Sequence, residues 1–347
     1  MKLIHFLVWP AIIFGWACND VPSVSGQADA PTDVLKDSAP AASDTTPVQP
    51  KRQVGIDTAL FNKKMAWMAN GDSSGRWPVK APYPLEGALL PFKRVVAFYG
   101  NLYSKRMGIL GELPKKEMLQ KLQTELKKWK EADPETPPIA ALHYIGVTAQ
   151  GLPGKDGKYR LRMPLHQLDT IQNWADEIEG LAFVDVQVGL SSLQEELPRF
   201  KPYLKSPTFH LGIDPEFSMK DGRKPGSAIG SFSADDINYA IGFLADIVRE
   251  HHLPPKILVI HRFTNDMVQH YKAIRKVPEV QVVIDMDGWG GKALKAATWR
   301  RYIYEQPVQF AGFKIFYKND LKKGSSGLYA PGELMKFQPI PLYIQYQ

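Results

Sequence analysis

The chain has 347 residues, a formal charge of +7, 44% hydrophobic residues and a single cysteine. One cysteine excludes an intrachain disulfide and a thiolate metal site, so folding must rest on a hydrophobic core, and the length leaves room for one large domain or two small ones. Much of the basic excess falls in helix-like stretches such as "KKEMLQKLQTELKKWK", where a solvated helix face explains it better than a nucleic-acid surface does.

At the N-terminus, "MKLIHFLVWPAIIFGWAC" carries one cation, Lys2, then an apolar stretch from Leu3 to Phe14, then small residues before Cys18. That is the layout of a secretory signal over residues 1–18, too short to span a membrane comfortably. "GWAC" resembles a bacterial lipobox, with Gly15 and Trp16 departing from its usual residues. The resemblance implies a lipidated Cys18 and a protein anchored in the bacterial cell envelope, with a plainly secreted protein as the alternative. Residues 19–54 are rich in Ala, Pro, Ser, Asp and Thr and nearly devoid of large apolar side chains, so they read as a disordered tether. The folded body is expected over residues 55–347.

Along that body, short apolar runs alternate with amphipathic stretches. The runs are 94–100, 138–146, 180–189, 208–217, 256–263, 280–288, 310–317 and 341–347; helices are expected at 114–131, 165–179, 191–204, 233–251, 264–276, 291–305 and, briefly, 331–337. Ser233 and Thr264 are candidate N-caps. Near-continuous apolar strands separated by single helices imply parallel strands with right-handed crossovers. Eight of them over this length predict one α/β domain, a (β/α)8 TIM-type barrel.

Residues two apart in a strand share a face. One parity is aliphatic, for example Leu211 with Ile213 and Val184 with Val186, and is expected to pack on the helices. The other ends in polar groups in strand after strand: Tyr99, His143, Asp185 with Gln187, Asp214 with Glu216, His261, Asp285 with Asp287, Lys314 and Gln345. In a barrel this second parity faces the axis, and the strand C-termini form the mouth where barrel enzymes place their chemistry. Burying so many ionisable groups by chance would be costly. Structural readings stand beside the functional one: Asp185 paired with Lys314, His143 and His261 as hydrogen-bonded core residues, Asp287 as a turn or N-cap acid.

Paired carboxylates on neighbouring strands suit glycosidic-bond cleavage, in which one protonates the leaving oxygen and another attacks or activates water. Glu216 is the candidate acid, Asp214 its orienting partner, and Asp185 or Asp285 the nucleophile or base. Tyr99, His143, Gln187, His261, Asp287, Trp289, Lys314, Tyr317 and Gln345 are candidate substrate contacts, with Tyr103 and Phe217 as further rim aromatics. The loops 146–164 and 217–232 are expected to overhang the mouth, and their Lys and Arg residues either favour an acidic substrate or are ordinary solvated charge. An inward Lys314 admits a Schiff-base lyase. Metal-assisted hydrolysis through Asp185, Asp214, Asp285 and His261 is a further rival, weakened because no H-x-H or H-E-x-x-H spacing occurs. A non-catalytic glycan- or peptidoglycan-binding barrel is another. No cofactor is called for, since P-loop and Rossmann fingerprints are absent, no metal, since zinc-type histidine spacings are absent, and no nucleic-acid partner, since export and a solvated helix face account for the charge; the expected partner is a carbohydrate, and the expected state a monomer.

"FYGNLYSKRMGILGE", "DPEFSM", "VQVVIDMDGWG", "GFKIFYKND" and "PLYIQYQ" together resemble the sequence blocks of a family of uncharacterised bacterial lipoproteins and secreted proteins with a glycoside-hydrolase-like barrel. The resemblance runs from about residue 92 to the end, and it implies the secreted barrel without bringing an activity. "DPE" is also similar to the end of the chitinase-like D-x-x-D-x-D-x-E motif. Only Asp214 and Glu216 match it; Phe209 and Gly212 fill the earlier acidic positions, and Lys314 stands on strand seven, where retaining barrel glycosidases commonly carry a carboxylate.

Overall fold

The computed structural model describes residues 55–322 and 325–347. The signal segment, Cys18 and the tether lie outside the described residues. Within the body, all eight expected runs form strands: β1 Arg94–Gly100, β2 Pro138–Ala149, β3 Leu181–Val186, β4 Phe209–Ile213, β5 Lys256–Arg262, β6 Val280–Met286, β7 Phe310–Ile315 and β8 Tyr343–Tyr346. Each is parallel to its neighbours in chain order, and β8 returns to β1, with Val95 opposite Tyr343 and Ala97 opposite Gln345. The sheet is therefore closed, a (β/α)8 barrel. Strands covered on both faces can be apolar nearly throughout, which is why these runs alternate so weakly in hydropathy.

Helices cover the outside. In α2, Lys115–Ala132, the buried Met118, Leu122, Glu125 and Trp129 recur at three- and four-residue spacing, one stripe against the barrel. Helix α4, Ala234–His251, opens on a capping box in which Ser233 Oγ accepts from Asp236 N while the Asp236 carboxylate accepts from Ser233 N at 2.7 Å. The preceding helix α3 spans Leu165–Glu177, and α5 spans Lys292–Trp299. Helix α1, Thr58–Met68, has no counterpart among the expected elements and is capped by Asp57, whose carboxylate accepts from Leu60 N at 2.9 Å.

Two expected helices come out differently. Residues 191–204 break into Leu193–Glu196, a 3-10 turn Leu197–Phe200 and Lys201–Leu204, because Pro198 and Pro202 cannot donate to a continuous helix and start new segments instead. The segment 264–276 is not a helix, and Thr264 caps nothing. Arg262 donates through Nε to Thr264 O at 3.2 Å and through Nη2 to Asn265 O at 3.0 Å, holding the two carbonyls that a helix would spend on its own first turn. Val268–Gln269 then pairs with Phe232–Ser233, and only a 3-10 turn at Tyr271–Ala273 follows.

The chain before β1 seals the barrel at its N-terminal end. Gln281, inward-facing at the start of β6, accepts from Leu89 N and Leu90 N, both at 3.1 Å, and donates to Leu90 O at 2.6 Å. Leu90 is fully buried there. Access to the axis is thus left to the opposite end.

Candidate functional site

Strand parity delivers the expected polar side chains to the axis. Two glycines make room for them: Gly212 and Gly312 hold inward positions two residues before Asp214 and Lys314. A Cβ at Gly212 would stand 2.3 Å from His143 Nε2 and 2.5 Å from Asp185 Oδ1; one at Gly312 would stand 2.7 Å from Asp285 Oδ1.

The deeper layer is built around Asp185. Its Oδ2 accepts from the Tyr99 hydroxyl at 2.8 Å, and its Oδ1 lies 3.5 Å from His143 Nε2 and 3.4 Å from His261 Nε2. His143 stacks on Phe183 and meets the Tyr343 hydroxyl through Nδ1 at 2.5 Å, while Gln345 Nε2 donates to that hydroxyl at 2.7 Å. On its other side, His261 Nδ1 is 3.1 Å from Asp287 Oδ2 and 3.6 Å from Asp285 Oδ2. Lys314 Nζ is 3.0 Å from Asp287 Oδ1 and stands 4.0 Å over the centre of the Tyr99 ring. The expected pairing of Lys314 with Asp185 is thus replaced by Lys314 with Asp287. Neither is Asp287 an N-cap, since α5 starts five residues later with Gly291 in that position.

These contacts sort the groups by charge. Burial alone would raise Asp185, yet the two imidazoles hold it well below the usual carboxylate range. Burial likewise opposes ionisation of Asp287, and Lys314 and His261 overcome it. His261 is held well above the ordinary imidazole value by Asp185 and Asp287 against its own burial, whereas burial lowers His143 to about 4. Asp185 and Asp287 thus face His261 and Lys314, carboxylates set against cationic partners as buried charge requires.

The upper layer is different. Asp214 Oδ1 accepts from Glu216 N at 3.0 Å, closing the 3-10 turn Pro215–Phe217, and its Oδ2 accepts from Gln187 Nε2 at 3.2 Å. Burial, with the like charges of Asp185 and Asp287, raises Asp214 to about 7 against the pull of His261 and Lys314. Asp285 is raised to about 7, chiefly by burial, and its carboxylate oxygens have no hydrogen-bond partner among the described residues. Glu216 is half-buried, and burial followed by the negative charge of Asp214 and Asp287 pushes it up to about 8.

Around the rim, Trp289 is 48% exposed and carries Lys322 Nζ 4.3 Å over its ring, and Tyr103 is 63% exposed. Tyr317 does not join the ring. It faces the helix layer, stacks on Tyr346 and donates to Glu125 in α2 at 3.1 Å. The buried Lys295–Asp320 pair, at 2.8 Å, fixes the loops after β6 and β7, because Asp320 also accepts from Gly290 N and Phe316 N. Several basic residues of the segments 146–164 and 217–232 are already matched: Arg160 and Arg162 with Glu195 and Glu196, Lys220 with Asp236, Arg223 with Asp221. This pairing favours ordinary loop charge over a binding surface for anions.

Tyr343 shares the inward parity of Gln345, and the inward parity also runs through Gly212 and Gly312, the two positions that leave room for the ring. The donor atoms of His143, Asp185 and His261 all fall within 4.8 Å of one another, the one such cluster among the described residues. Asp214 and Asp285, expected to join His261 in a metal set, are not part of it, and His143 takes their place. No linear motif could announce this set, because its members come from β2, β3 and β5.

No family model matches the sequence, and no curated protein matches it. Similar solved structures include a hyperthermophilic endo-β-1,4-glucanase in complex with substrate, at 7% identity over 74% of this chain and 89% of that chain with a TM-score of 0.37. Another is a mutant form of Thermotoga maritima Cel5A in complex with cellobiose, at 10% identity over 74% and 88% with a TM-score of 0.36.

Proposed function

We propose that this protein is a glycoside hydrolase acting on a poly- or oligosaccharide at the cell envelope, with Glu216 as general acid. The observation that carries the reading is the arrangement of two carboxyl groups at one mouth. Glu216 has no hydrogen bond or ion pair to its carboxyl among the described residues, while Asp287 is held between Lys314 Nζ at 3.0 Å and His261 Nδ1 at 3.1 Å. One is kept protonated by its surroundings and the other ionised, the division of labour glycosidic cleavage needs.

In that reaction Glu216 gives its proton to the departing glycosidic oxygen as the bond to the anomeric carbon breaks. The carboxylate of the second acid balances the positive charge that develops on the sugar, and water then adds to the anomeric carbon while Glu216, now a carboxylate, takes back a proton. Of the acids offered by the sequence for the second role, Asp185 and Asp285 are fully buried beneath the mouth, and Asp185 is spent on Tyr99. Asp287, 7% exposed, therefore takes it. Asp214 positions Glu216 by accepting from its backbone amide, and Trp289 and Tyr103 offer flat apolar faces for sugar rings. Lys314 Nζ is engaged by Asp287 at 3.0 Å and by the Tyr99 ring, contacts it would have to leave to attack a carbonyl as a Schiff-base amine. The resemblance to envelope lipoproteins and the signal-like N-terminus support anchoring through Cys18.

A binding barrel without turnover is the second reading, favoured by the near-complete burial of the ring beneath Glu216. An activity screen over a broad set of polysaccharides separates the two. Hydrolysis that survives in the wild type and falls about 10²–10⁴-fold in Glu216→Gln, with binding retained, supports the enzyme. Binding without hydrolysis in the wild type refutes it.

A further inference from the structure

One layer below the mouth, His143 Nε2, Asp185 Oδ1 and His261 Nε2 are buried without a hydrogen-bond partner among the described residues, as are His261 Nδ1, both Asp285 carboxyl oxygens, Asp287 Oδ1 and Gln345 Oε1 around them. The first three atoms belong to fully buried side chains that converge from β2, β3 and β5. We propose that they bind a divalent first-row transition metal ion of the zinc class. Leaving such atoms unpaired is costly, and a bound cation satisfies all three together.

The spacing fits. Asp185 Oδ1 is 3.5 Å from His143 Nε2 and 3.4 Å from His261 Nε2. Ligands placed 2.0–2.1 Å from a tetrahedral zinc ion stand roughly 3.3–3.4 Å apart. Two imidazoles and one carboxylate are a donor set for zinc or its first-row neighbours, whereas magnesium and calcium ask for oxygens alone.

The outer contacts fit as well. Metal-binding imidazoles present one nitrogen to the ion and donate the other N–H to a fixed acceptor. His261 Nδ1 faces the Asp287 carboxylate at 3.1 Å, and Lys314 in turn holds Asp287. His143 Nδ1 faces the Tyr343 hydroxyl at 2.5 Å and Gln345 Nε2 at 3.2 Å, and coordination through Nε2 requires the tautomer that donates Nδ1–H to that hydroxyl. Asp185 keeps Oδ2 on Tyr99 and turns Oδ1 to the cluster. Gly212 completes the arrangement: a Cβ there would come within 2.3 Å of His143 Nε2 and 2.5 Å of Asp185 Oδ1, occupying the approach to both ligand atoms. The competing occupant is a proton on the imidazoles, drawn by Asp185.

The test uses the full chain, purified without chelator from zinc-supplemented medium, and again after refolding with zinc sulfate. Elemental analysis is expected to find about one zinc per chain, and cobalt(II) in its place to give the visible absorption of a four-coordinate ion. His143→Gln and Asp185→Asn, shown folded by circular dichroism, are expected to lose at least about tenfold in affinity for either ion. Wild-type protein carrying less than about a tenth of an equivalent in both preparations, with no cobalt spectrum, overturns the site. Full metal content in a folded His143→Gln overturns it too. If neither variant folds, the wild-type measurements decide alone. None of these readouts needs a substrate, so they stand apart from the polysaccharide screen.

Discussion

Replacing Lys314 with methionine removes one of the two cations from the axial set while keeping most of the stem that covers Tyr99. Asp287 then loses its partner at 3.0 Å. At an effective dielectric of 20, unit charges at that distance attract by about 5.5 kcal/mol. Both groups are almost wholly buried, so desolvation consumes part of this in the wild type, but the variant still bears the cost of Asp287 without the compensation. Breaking a buried pair from one side costs about 3–5 kcal/mol. For a body spanning residues 55–347, unfolding entropy near 2.1 cal/mol/K per residue amounts to roughly 0.6 kcal/mol/K, so Tm should fall by about 5–8 °C. Urea denaturation and calorimetry read both quantities. In protein stripped of metal the pairing makes a sharper demand: Lys314→Met leaves Asp287 short of a cation, Asp287→Asn leaves Lys314 short of an anion, and the double variant removes both members of the pair together. The double variant should be at least about 2 kcal/mol more stable than the sum of the single losses implies. Additivity within about 0.5 kcal/mol would refute the account of the ring as one coupled network.

If Glu216 is the proton donor, turnover should persist below pH 8 and fall as pH rises through about 8, since the acid must be protonated to act. An alkaline limb near the ordinary glutamate value of about 4.3 would show that its surroundings do not tune it. Gln281→Leu strands two amides and a carbonyl at the sealed end of the barrel; at about 1–3 kcal/mol per buried unpaired group it should cost at least about 2 kcal/mol in urea unfolding. A loss under about 1 kcal/mol would mean that Leu89 and Leu90 find other partners. Cys18→Ser should move the protein from the membrane fraction to the soluble fraction with the body still folded, and unchanged fractionation would remove lipidation from the proposal.

The strand runs were legible because their apolar character persists whatever lies around them, and parity then placed Asp214, Glu216, His261 and Lys314 on the axis. The failure at 264–276 has a local cause outside the window that suggested the helix: Arg262, the last residue of β5, captures the carbonyls of Thr264 and Asn265. Tyr317 was misplaced by proximity to the strand end, although its parity with Phe313 and Ile315 assigns it to the helix layer.

What the sequence determined by itself is whatever depends on residues close along the chain: eight strands, their inward and outward faces, the Ser233 cap, and a mouth rich in carboxyl groups. Which inward group meets which was decided only by closure of the barrel. Tyr99 reaches Asp185 across 86 positions of chain, and His143 reaches Tyr343 across 200. The same closure gave Lys314 to Asp287 instead of Asp185 and brought His143, Asp185 and His261 together. Alternation along a strand fixes the direction of a side chain, but distances across the axis follow from strand register and tilt, and small differences there decide which carboxyl stays protonated and which is ionised.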